Sequence, residues 1–568
     1  MELNAETRSV EDIFSPNKKY IVPRFQREYS WKQEEVEEFW EDVVQQIGIS
    51  NGKVSNEEYF IGSIVLVGED SKPDYLIVDG QQRLTTLTIL LRAIVQRFND
   101  LKDDAAANAL YKNVIEGMDN DGRPYFKLIN ESPKPFFQNE LQSIAPQGIG
   151  KASSEEEQLL QSAYDIFQGK IKEFKLGKLD ALDTVKALRT QILNYLKFIL
   201  VTAKSEDDAY TIFETLNARG LSLTSVDLIK NWIFKNYNQT HPHDNAKDIW
   251  NDLRNEIASF SDLETFFRHY WNSKYSFASD DRLYKSFKAH LKEEKINPAR
   301  EFLLELKDAG HIYRLIGSPR EDDWKIQKLK AIYRCLNLLN QYRVVQVRPF
   351  LLALLEKHQS KVVNQTLLIQ CIENIENFHF IYTNVCKDRA SGLDGKYARA
   401  AKNLHLAGND KAKSKQVIKD LCEYLKNKLP AEPFIANALG RLSFKNGVDM
   451  DKKSIQTIFA KVERYLHGTS ELIVGGFSLE HIEDQSSGST WVGSVGNLLP
   501  LDEDINNRIK AGISFSEKKK KYAKSSLKVV KVFLSENPDD KWNKQAADRW
   551  LKYLARTVID ATAIKLVA

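Results

Sequence analysis

The sequence predicts a multidomain α+β protein that is predominantly helical, and three observations support this. The chain has 568 residues, which corresponds to three or four domains at about 150 residues per domain. Short, β-branched apolar runs that are typical of strands occur in the N-terminal part and again near residue 480. The segment between them has apolar residues at helical intervals over nearly its whole length. We therefore expect a mixed α/β domain at 1–238, a helical middle at 239–424 and a basic α+β domain at 425–568.

Composition excludes several protein classes. Hydrophobic residues make up 42% and charged residues 28%, which are globular values that exclude wholesale disorder and collagen-like structure. Four cysteines cannot form a disulfide scaffold in a chain this long, and without a CxxC pair they do not indicate a zinc ribbon or a thioredoxin site, so a reducing compartment fits best. No apolar run reaches the roughly 18 to 20 residues that a membrane span needs, and residues 1–14 do not resemble a secretory signal. We expect a cytoplasmic protein with no membrane partner.

Positive charge is concentrated near the C-terminus, although the net charge of the chain is only +3. The segment 505–556 contains 14 Lys or Arg and 5 Asp or Glu, a net charge of +9. It is densest at Lys518, Lys519, Lys520 and Lys521. A basic patch can bind a phosphate backbone, and a solvated helix face is the alternative. We predict that these four lysines contact DNA.

Local patterns predict individual elements of the N-terminal domain. Capping-box spacing predicts helices that begin at Ser30 and at Thr224, and another helix is predicted directly after Asp79-Gly80. Apolar, β-branched runs predict strands at 59–67, 75–78 and 196–203.

The first candidate site is the sequence Asp79-Gly80-Gln81-Gln82-Arg83 between a predicted strand and a predicted helix. The free backbone N–H groups and the dipole at a helix N-terminus attract anions. Arg83 adds a charged fork suited to phosphate, and Gly80 permits a tight turn. Asp79 could hold a divalent metal, and Gln81 or Gln82 could orient a water. A polar helix cap without a ligand is the alternative.

Two further loops of the same domain are rich in hydrogen-bond donors. Arg24, Gln26 and Arg27 precede an acidic helix, and Asn217 and Arg219 fall in a tight loop between helical segments. Each loop alone is typical of an ordinary surface connection. Three of them in one small domain indicate a common polyanionic ligand, which these residues would bind together with residues 79–83.

The C-terminal candidate site is built on Glu480-His481 at the end of a predicted strand, followed by Asn497 and by Asn506 or Asn507. This spacing suits a ββα-metal hairpin, in which His481 would deprotonate water as a general base. A carboxylate and a distal Asn or His would hold one divalent ion, Mg²⁺ or Mn²⁺, against a scissile phosphate. A surface histidine beside a solvated glutamate is the alternative.

The N-terminal motifs together resemble a known family. FQREYSW, YFIGSIVL, IVDGQQRLTTL and FETLNARGLSLTSVDLIKNWIF occur in the order found in the N-terminal domain of GmrSD-type proteins. These proteins are modification-dependent (type IV) restriction endonucleases and related phage-defence nucleases. The resemblance spans roughly residues 8–236. It implies a ParB- and sulfiredoxin-like α/β fold that binds and hydrolyses a nucleoside triphosphate.

The segment from roughly 425 to 560 resembles the HNH-like (His-Me finger) nuclease domain of the same group. In both, EHI is followed by GNL, an Asn, an F-x-x-K…Y stretch and a final helix with an Arg. This sequence departs from the pattern at Asp484, where the family has a proline that shapes the turn.

This second resemblance implies a role for each residue of the C-terminal site. His481 would be the base, Glu480 and Asn506 the metal ligands, and Asn497 the residue that orients the hairpin. Asn507 remains an alternative to Asn506.

The sequence therefore predicts a nucleotide-regulated, metal-dependent endonuclease that cleaves foreign or modified double-stranded DNA in antiphage defence. The alternative is a nucleotide-regulated DNA-binding or sensor protein whose nuclease domain is degenerate, and the missing proline motivates it. The DNA modification, the preferred nucleotide, the metal and the oligomeric state stay open, and a homo-oligomer is compatible with the sequence.

Overall fold

The structure is a computed structural model that divides into two compact units. The first contains residues 1–248 and 298–300, and the second contains 249–297 and 301–568. The division of the sequence at residues 238 and 424 stays a prediction. The structure describes residues 3–23, 26, 28–51, 53–69, 72–131, 136–146, 152–204, 224–237, 245–275, 277–389, 391–445, 451–469, 472 and 476–565.

A mixed six-stranded sheet organises the first unit. The strands of this unit are β1 (Leu3–Ser9), β2 (Lys19–Val22), β3 (Ile47–Ser50), β4 (Lys53–Asn56), β5 (Tyr59–Val67), β6 (Asp74–Asp79), β7 (Glu116–Met118), β8 (Pro124–Phe126), β9 (Leu128–Asn130) and β10 (Leu196–Ala203). The strands of the sheet follow the order β1-β10-β5-β6-β2-β9, and β10 pairs in parallel with β5, which is antiparallel to β6. Strand pairs β3-β4 and β7-β8 form two small hairpins.

The helices of the first unit are α1 (Val10–Phe14), α2 (Gln33–Val44), α3 (Gln81–Asp100), α4 (Asp104–Val114), α5 (Glu155–Glu173), α6 (Ala181–Thr190) and α7 (Ser225–Asn236). Helix α3 is the central helix of this unit. It packs against α4 and α5, and most of its side chains are buried in the core formed with the sheet. Short π-helical turns occur at Phe137–Gln142 and Gln191–Tyr195.

Most of the locally predicted elements are confirmed. The three predicted strands correspond to β5, β6 and β10, and α7 begins after a capping box between Thr224 and Asp227. The predicted start of a helix at Ser30 is wrong, because α2 begins at Gln33. The Glu35 carboxylate caps this helix by accepting a hydrogen bond from the backbone N–H of Lys32. Ser30 instead donates its backbone N–H to Gln82 Oε1 at 2.9 Å, which holds it in a loop.

The chain from residue 245 onward is mostly helical, so the predicted predominantly helical α+β class is confirmed. Among the residues that the structure describes, no helix is long and apolar enough to cross a membrane. The helices are α8 (Asn245–Ala258), α9 (Leu263–Lys274), α10 (Asp280–Lys292), α11 (Ala299–Gly317), α12 (Lys330–Gln341), α13 (Arg348–Gln359), α14 (Gln365–His379), α15 (Leu393–Leu406), α16 (Lys411–Lys428), α17 (Glu432–Arg441) and α18 (Lys452–His467). Shorter 3-10 or π turns lie at Glu321–Trp324, Gln327–Leu329 and Phe380–Val385.

The C-terminal part of the second unit is built around a β-hairpin. Strand β11 (Phe477–His481) pairs antiparallel with β12 (Leu498–Asp502). The helices that follow the hairpin are α19 (Glu503–Asn506), α20 (Phe515–Tyr522), α21 (Lys528–Glu536) and α22 (Lys544–Ala561). Helices α17, α18, α21 and α22 surround one apolar core with the hairpin. Single 3-10 turns at Gln485–Ser487 and Val495–Asn497 lie in the loop between the strands.

A buried lysine joins three segments of the first unit. Lys127 is 1% exposed, and its ammonium donates to the carbonyls of Phe14 (2.6 Å), Ser15 (3.2 Å) and Asn113 (2.7 Å). These carbonyls lie at or near the C-terminal ends of α1 and α4, where helices leave carbonyls without a partner inside the helix. Lys127 therefore donates hydrogen bonds to the C-terminal ends of two helices with one side chain.

We expect Lys127→Met to lower the free energy of unfolding by about 1–3 kcal/mol, because buried carbonyls lose their hydrogen-bond donor. Chemical denaturation monitored by circular dichroism measures this. Lys112→Met, at an exposed lysine of α4, is the matched control. Equal stability of the two variants would contradict the bridging role of Lys127.

Candidate functional site

His481 ends strand β11 and is held by hydrogen bonds at both ring nitrogens. Its Nε2 lies 2.9 Å from the carbonyl oxygen of Phe444, and its Nδ1 lies 3.3 Å from the side-chain amide nitrogen of Gln485. A carbonyl can only accept and an amide NH₂ can only donate, so Nε2 carries the proton and Nδ1 presents a lone pair. The Phe444 ring also packs against the imidazole at 5.4 Å between centroids.

The environment of His481 keeps the imidazole neutral. Burial lowers its pKa below the ordinary histidine value, and the positive charge of Lys518 acts in the same direction. The hydrogen bond to Phe444 and the carboxylates of Glu480 and Asp484 oppose this shift without reversing it. A neutral imidazole with a lone pair on Nδ1 can accept a proton there.

The second feature of this site is a cluster of oxygen atoms around one buried ammonium group. Lys518, on α20, is 1% exposed. Its Nζ donates to Glu480 Oε1 at 2.9 Å and Asp484 Oδ1 at 2.7 Å. It also donates to the backbone carbonyls of His481 at 2.8 Å and Ile482 at 3.1 Å. We call these residues the Lys518 cluster.

The Lys518 cluster neutralises two acidic side chains beside His481. Glu480 Oε1 also accepts from the hydroxyl of Tyr522 at 3.0 Å, and burial raises the pKa of Tyr522 well above its usual value. Burial alone would raise the pKa of Asp484, but the hydrogen bonds from Lys518 and from the Gly512 N–H (2.6 Å) lower it. Asp484 therefore joins the turn to the segment before α20.

The four consecutive lysines of α20 lie in different environments. Lys519 donates to the carbonyl of Pro538 at 2.7 Å, and Lys521 donates to the carbonyl of Arg508. Lys520 is exposed. The DNA contact predicted for Lys518 is not supported, because its ammonium is surrounded by protein oxygens and does not reach the surface. Successive helix residues project about 100° apart, which explains why adjacent lysines differ.

Asn497 organises the loop of the hairpin. Its side chain is fully buried, and its Oδ1 accepts from the Glu483 N–H (2.8 Å) and from Trp542 Nε1 (2.9 Å). Its Nδ2 donates to the carbonyls of Glu483 (3.0 Å) and Val492 (2.8 Å). These four hydrogen bonds occupy the amide, so Asn497 positions the turn after His481 and is not available to touch a substrate.

The predicted metal ligands are engaged in other contacts. Asn506 Nδ2 donates to Ser478 Oγ at 2.7 Å, and Asn507 is exposed. Glu480 is held by Lys518 and Tyr522. Within the described ranges, no group of three His, Cys, Asp or Glu side chains could hold a metal ion. Because a lysine already binds the carboxylates beside His481, Glu480 and Asn506 do not fit a divalent ion as they are arranged here.

The N-terminal candidate site lies where β6 meets α3. Gly80 is the N-cap of α3 with φ of 95°, and a Cβ there would lie 3.0 Å from Ile64, so the position requires glycine. Arg83 Nη1 donates to the carbonyl of Ser63 at 2.6 Å and lies 4.0 Å from Asp79 Oδ2. The Arg83 side chain is 33% exposed, so the guanidinium can contact a ligand.

The structure brings two of the three predicted donor-rich loops together. Gln26 Nε2 donates to the carbonyl of Val78 at 3.2 Å, on β6. Gln82 accepts from the Ser30 N–H and donates to the carbonyl of Glu28 at 3.0 Å. Both glutamines therefore dock the segment around residues 26–30 onto the strand–turn–helix element. Gln82 thus has a structural role, and its orientation of a water stays a prediction.

Of the remaining predicted residues of this site, only Gln81 lies in the described part of the chain. Gln81 is buried at the start of α3. Arg24, Arg27, Asn217 and Arg219 lie outside the described residues, so their nucleotide contacts stay a prediction.

Sequence reasoning missed the residues that fix His481. Phe444 lies 37 residues upstream and acts through its backbone carbonyl, which no side-chain pattern reveals. Gln485 and Tyr522 are close in sequence to the predicted motifs, but only the contact with His481 or Glu480 shows what they do.

Models of known protein families match the two parts of the chain that carry the N-terminal and C-terminal candidate sites. The model of the GmrSD restriction endonuclease N-terminal domain matches residues 10–234, and that of the C-terminal domain matches residues 451–557. These are domains of restriction endonucleases, enzymes that cleave DNA. The chain belongs to the GmrSD restriction endonuclease family, as the sequence motifs predict. No curated protein matches it.

We expect Lys518→Met to lower the free energy of unfolding by about 3–5 kcal/mol, because it leaves two carboxylates without their cation in a largely buried setting. The matched control is Lys520→Met, which changes an exposed lysine of the same helix. Urea titrations of both variants measure the difference. A Lys518 variant as stable as the control would show that the cluster contributes little.

Proposed function

We propose that this chain is a nucleotide-regulated DNA endonuclease of antiphage defence in which His481 is the general base. The observation that carries the proposal is the fixed tautomer of His481, with Nε2–H bound to the Phe444 carbonyl and the lone pair of Nδ1 facing Gln485. A general base needs a defined lone pair and a pKa low enough to be unprotonated. His481 meets both conditions.

The proposed reaction is hydrolysis of a phosphodiester bond. The Gln485 side chain first moves away from Nδ1 of His481, and a water takes its position and donates a proton to Nδ1 as its oxygen attacks phosphorus. The P–O bond to the leaving strand then breaks, the leaving oxygen takes up a proton from solvent water, and the His481 imidazolium returns its proton to solvent. Hydrogen bonding to Phe444 spreads the charge of the imidazolium that forms.

A divalent metal, Mg²⁺ or Mn²⁺, is part of the proposal because restriction endonucleases typically use one. Such an ion supplies Lewis-acid stabilisation of the charge on the phosphate. The residues at His481 do not form its site while Lys518 holds Glu480 and Asp484. Of the lysine run, Lys520 is the residue we propose for contact with the DNA backbone, because it is exposed.

The N-terminal site is proposed to bind the phosphates of a nucleoside triphosphate and so regulate cleavage. The 20-residue helix α3 directs its N-terminus at the turn, and the partly exposed Arg83 lies beside it. Hydrolysis of the nucleotide belongs to the same proposal.

One observation favours the second candidate, a DNA-binding sensor with a degenerate nuclease domain. Asp484 replaces the proline of the family pattern and adds a second carboxylate to Lys518. A turn held in this way differs from one shaped by proline. Loss of cleavage in the His481 variant decides between the two candidates.

We expect His481→Ala to abolish DNA cleavage while nucleotide binding and the unfolding midpoint stay close to those of the parent. Plasmid nicking with Mg²⁺ or Mn²⁺ measures this, and His311→Ala, at an exposed histidine outside the hairpin, is the control. Undiminished nicking by folded His481→Ala would refute the assignment. A parent protein that does not nick DNA under any nucleotide condition would favour the sensor.

The pH dependence of cleavage follows from the lowered pKa of His481. Only the neutral imidazole accepts a proton, so cleavage should be retained below pH 6.5, the ordinary histidine value, and lost as the pH falls through the lower pKa. A profile of kcat/KM against pH reports this ionisation in the free enzyme. Half-maximal cleavage well above pH 6.5 would contradict it.

We expect Arg83→Gln to weaken nucleotide binding by roughly tenfold to a hundredfold, because a charge-assisted contact worth about 1.5–3 kcal/mol is lost. Titration with a fluorescent nucleotide measures the affinity. The control is Arg123→Gln, at an exposed arginine of the same unit. Identical titrations for both variants would leave the turn with a structural role alone.

A further inference from the structure

The second unit contains a cavity that the proposed chemistry does not use. Its volume is about 540 Å³, within the range of pockets that bind small molecules. Residues of α12 and α18 form its walls, and Gly476 and Phe477 at the start of β11 complete it. The strand that carries His481 therefore begins at this cavity.

The walls of the cavity are strongly basic. Four cationic residues and one carboxylate line it, namely Lys330, Arg334, Lys453, Arg464 and Glu321. Lys330 pairs with Glu321 at 3.1 Å, and Arg334 pairs with Glu373 at 3.3 Å. In the part of the chain that the structure describes, the side chains of Lys453 and Arg464 have no hydrogen bond or ion pair. Two cations of the wall are thus left for a ligand.

Arg464 is the more informative of these two cations. Burial lowers the pKa of its guanidinium to about 10, and the like charge of Arg334 acts in the same direction, while the carboxylates of Glu376 and Glu373 oppose the shift. It is therefore still charged at neutral pH. The two nearby carboxylates are already paired with other cations, Glu373 with Arg334 and Glu376 with Lys461, so an anion in the cavity would compensate the charge of Arg464 more directly.

Aromatic side chains complete the chemistry of the cavity. Tyr333 and Phe477 line it, and Tyr333 is half-buried. Nucleobases stack on such rings, while arginine and lysine bind the phosphate groups. Cations and aromatic rings in one cavity are the combination that suits a nucleotide.

The distance from the cavity to His481 corresponds to a few nucleotides of a DNA strand. Phe477 lines the cavity and His481 lies four residues further along β11, a distance of about 13 Å at about 3.3 Å per residue. Successive nucleotides of one DNA strand advance by about 3.4 Å, so this distance corresponds to about four nucleotides.

We propose that this cavity binds one nucleotide of the DNA substrate, with its phosphate at Arg464 and Lys453 and its base against Tyr333. The inference rests on the proposed function, because the bound nucleotide would belong to the DNA strand that His481 cleaves. A free nucleotide has the same chemistry, so the experiment must separate the two sources.

The test measures binding in full-length His481→Ala protein, where cleavage cannot interfere. Arg464→Gln and Lys453→Gln are each added to this background, and Arg399→Gln, at an exposed arginine of α15, is the control. Fluorescence anisotropy gives the affinity for a labelled DNA duplex over a series of salt concentrations. A fluorescent ATP analogue, titrated without DNA, reports binding of a free nucleotide.

We expect Arg464→Gln to weaken DNA binding roughly tenfold to a hundredfold. Each of the two substitutions should also make the slope of log K against log salt shallower by about 0.9, and ATP-analogue binding should stay unchanged. Because neither side chain has a partner among the described residues, the unfolding midpoints should match the control. DNA affinity and slope equal to those of the control would overturn the proposal, and so would a loss confined to the ATP analogue. Nicking by His481→Ala in the separate assay would refute the catalytic assignment but leave this binding result intact.

Discussion

The ammonium group of Lys518 is the interaction on which the C-terminal site depends. It joins helix α20 to the end of β11 through Glu480 and two backbone carbonyls, and to the turn through Asp484. Since these carbonyls belong to His481 and Ile482, the lysine fixes the backbone from which the imidazole projects. A buried cation needs such a complete set of acceptors, and the hairpin supplies it.

This cluster also links packing to chemistry. The charge of Lys518 helps to keep His481 neutral, while Phe444 and Gln485 determine which nitrogen carries the proton. The N-terminal site follows a comparable principle. There Gln82 pins the segment before α2 onto the strand–turn–helix element, so that Arg83 is held beside the N-terminus of α3. In both sites, buried polar contacts between distant segments position the group to which we assign the chemistry, His481 or Arg83.

The sequence was sufficient for elements whose pattern is local. The strands at 59–67 and 196–203 are alternating or continuous apolar runs, and the Thr224 capping box is a four-residue signal. Long-range contacts were not predictable in this way. The helix predicted at Ser30 begins at Gln33 because Gln82, 52 residues later, binds Ser30. A run of lysines gives no sign that the first of them is buried, since the acceptors around it lie 34 to 38 residues upstream.

The central claim is that the fold holds His481 as a neutral base with its lone pair on Nδ1. Nitrogen NMR of protein labelled with ¹⁵N-histidine tests it most directly, because protonated and unprotonated ring nitrogens have well-separated chemical shifts. Spectra of the parent and of His481→Ala identify the signals of His481. At neutral pH the account predicts a protonated Nε2 and an unprotonated Nδ1. A proton on Nδ1, whether in the other neutral tautomer or in an imidazolium, would contradict it.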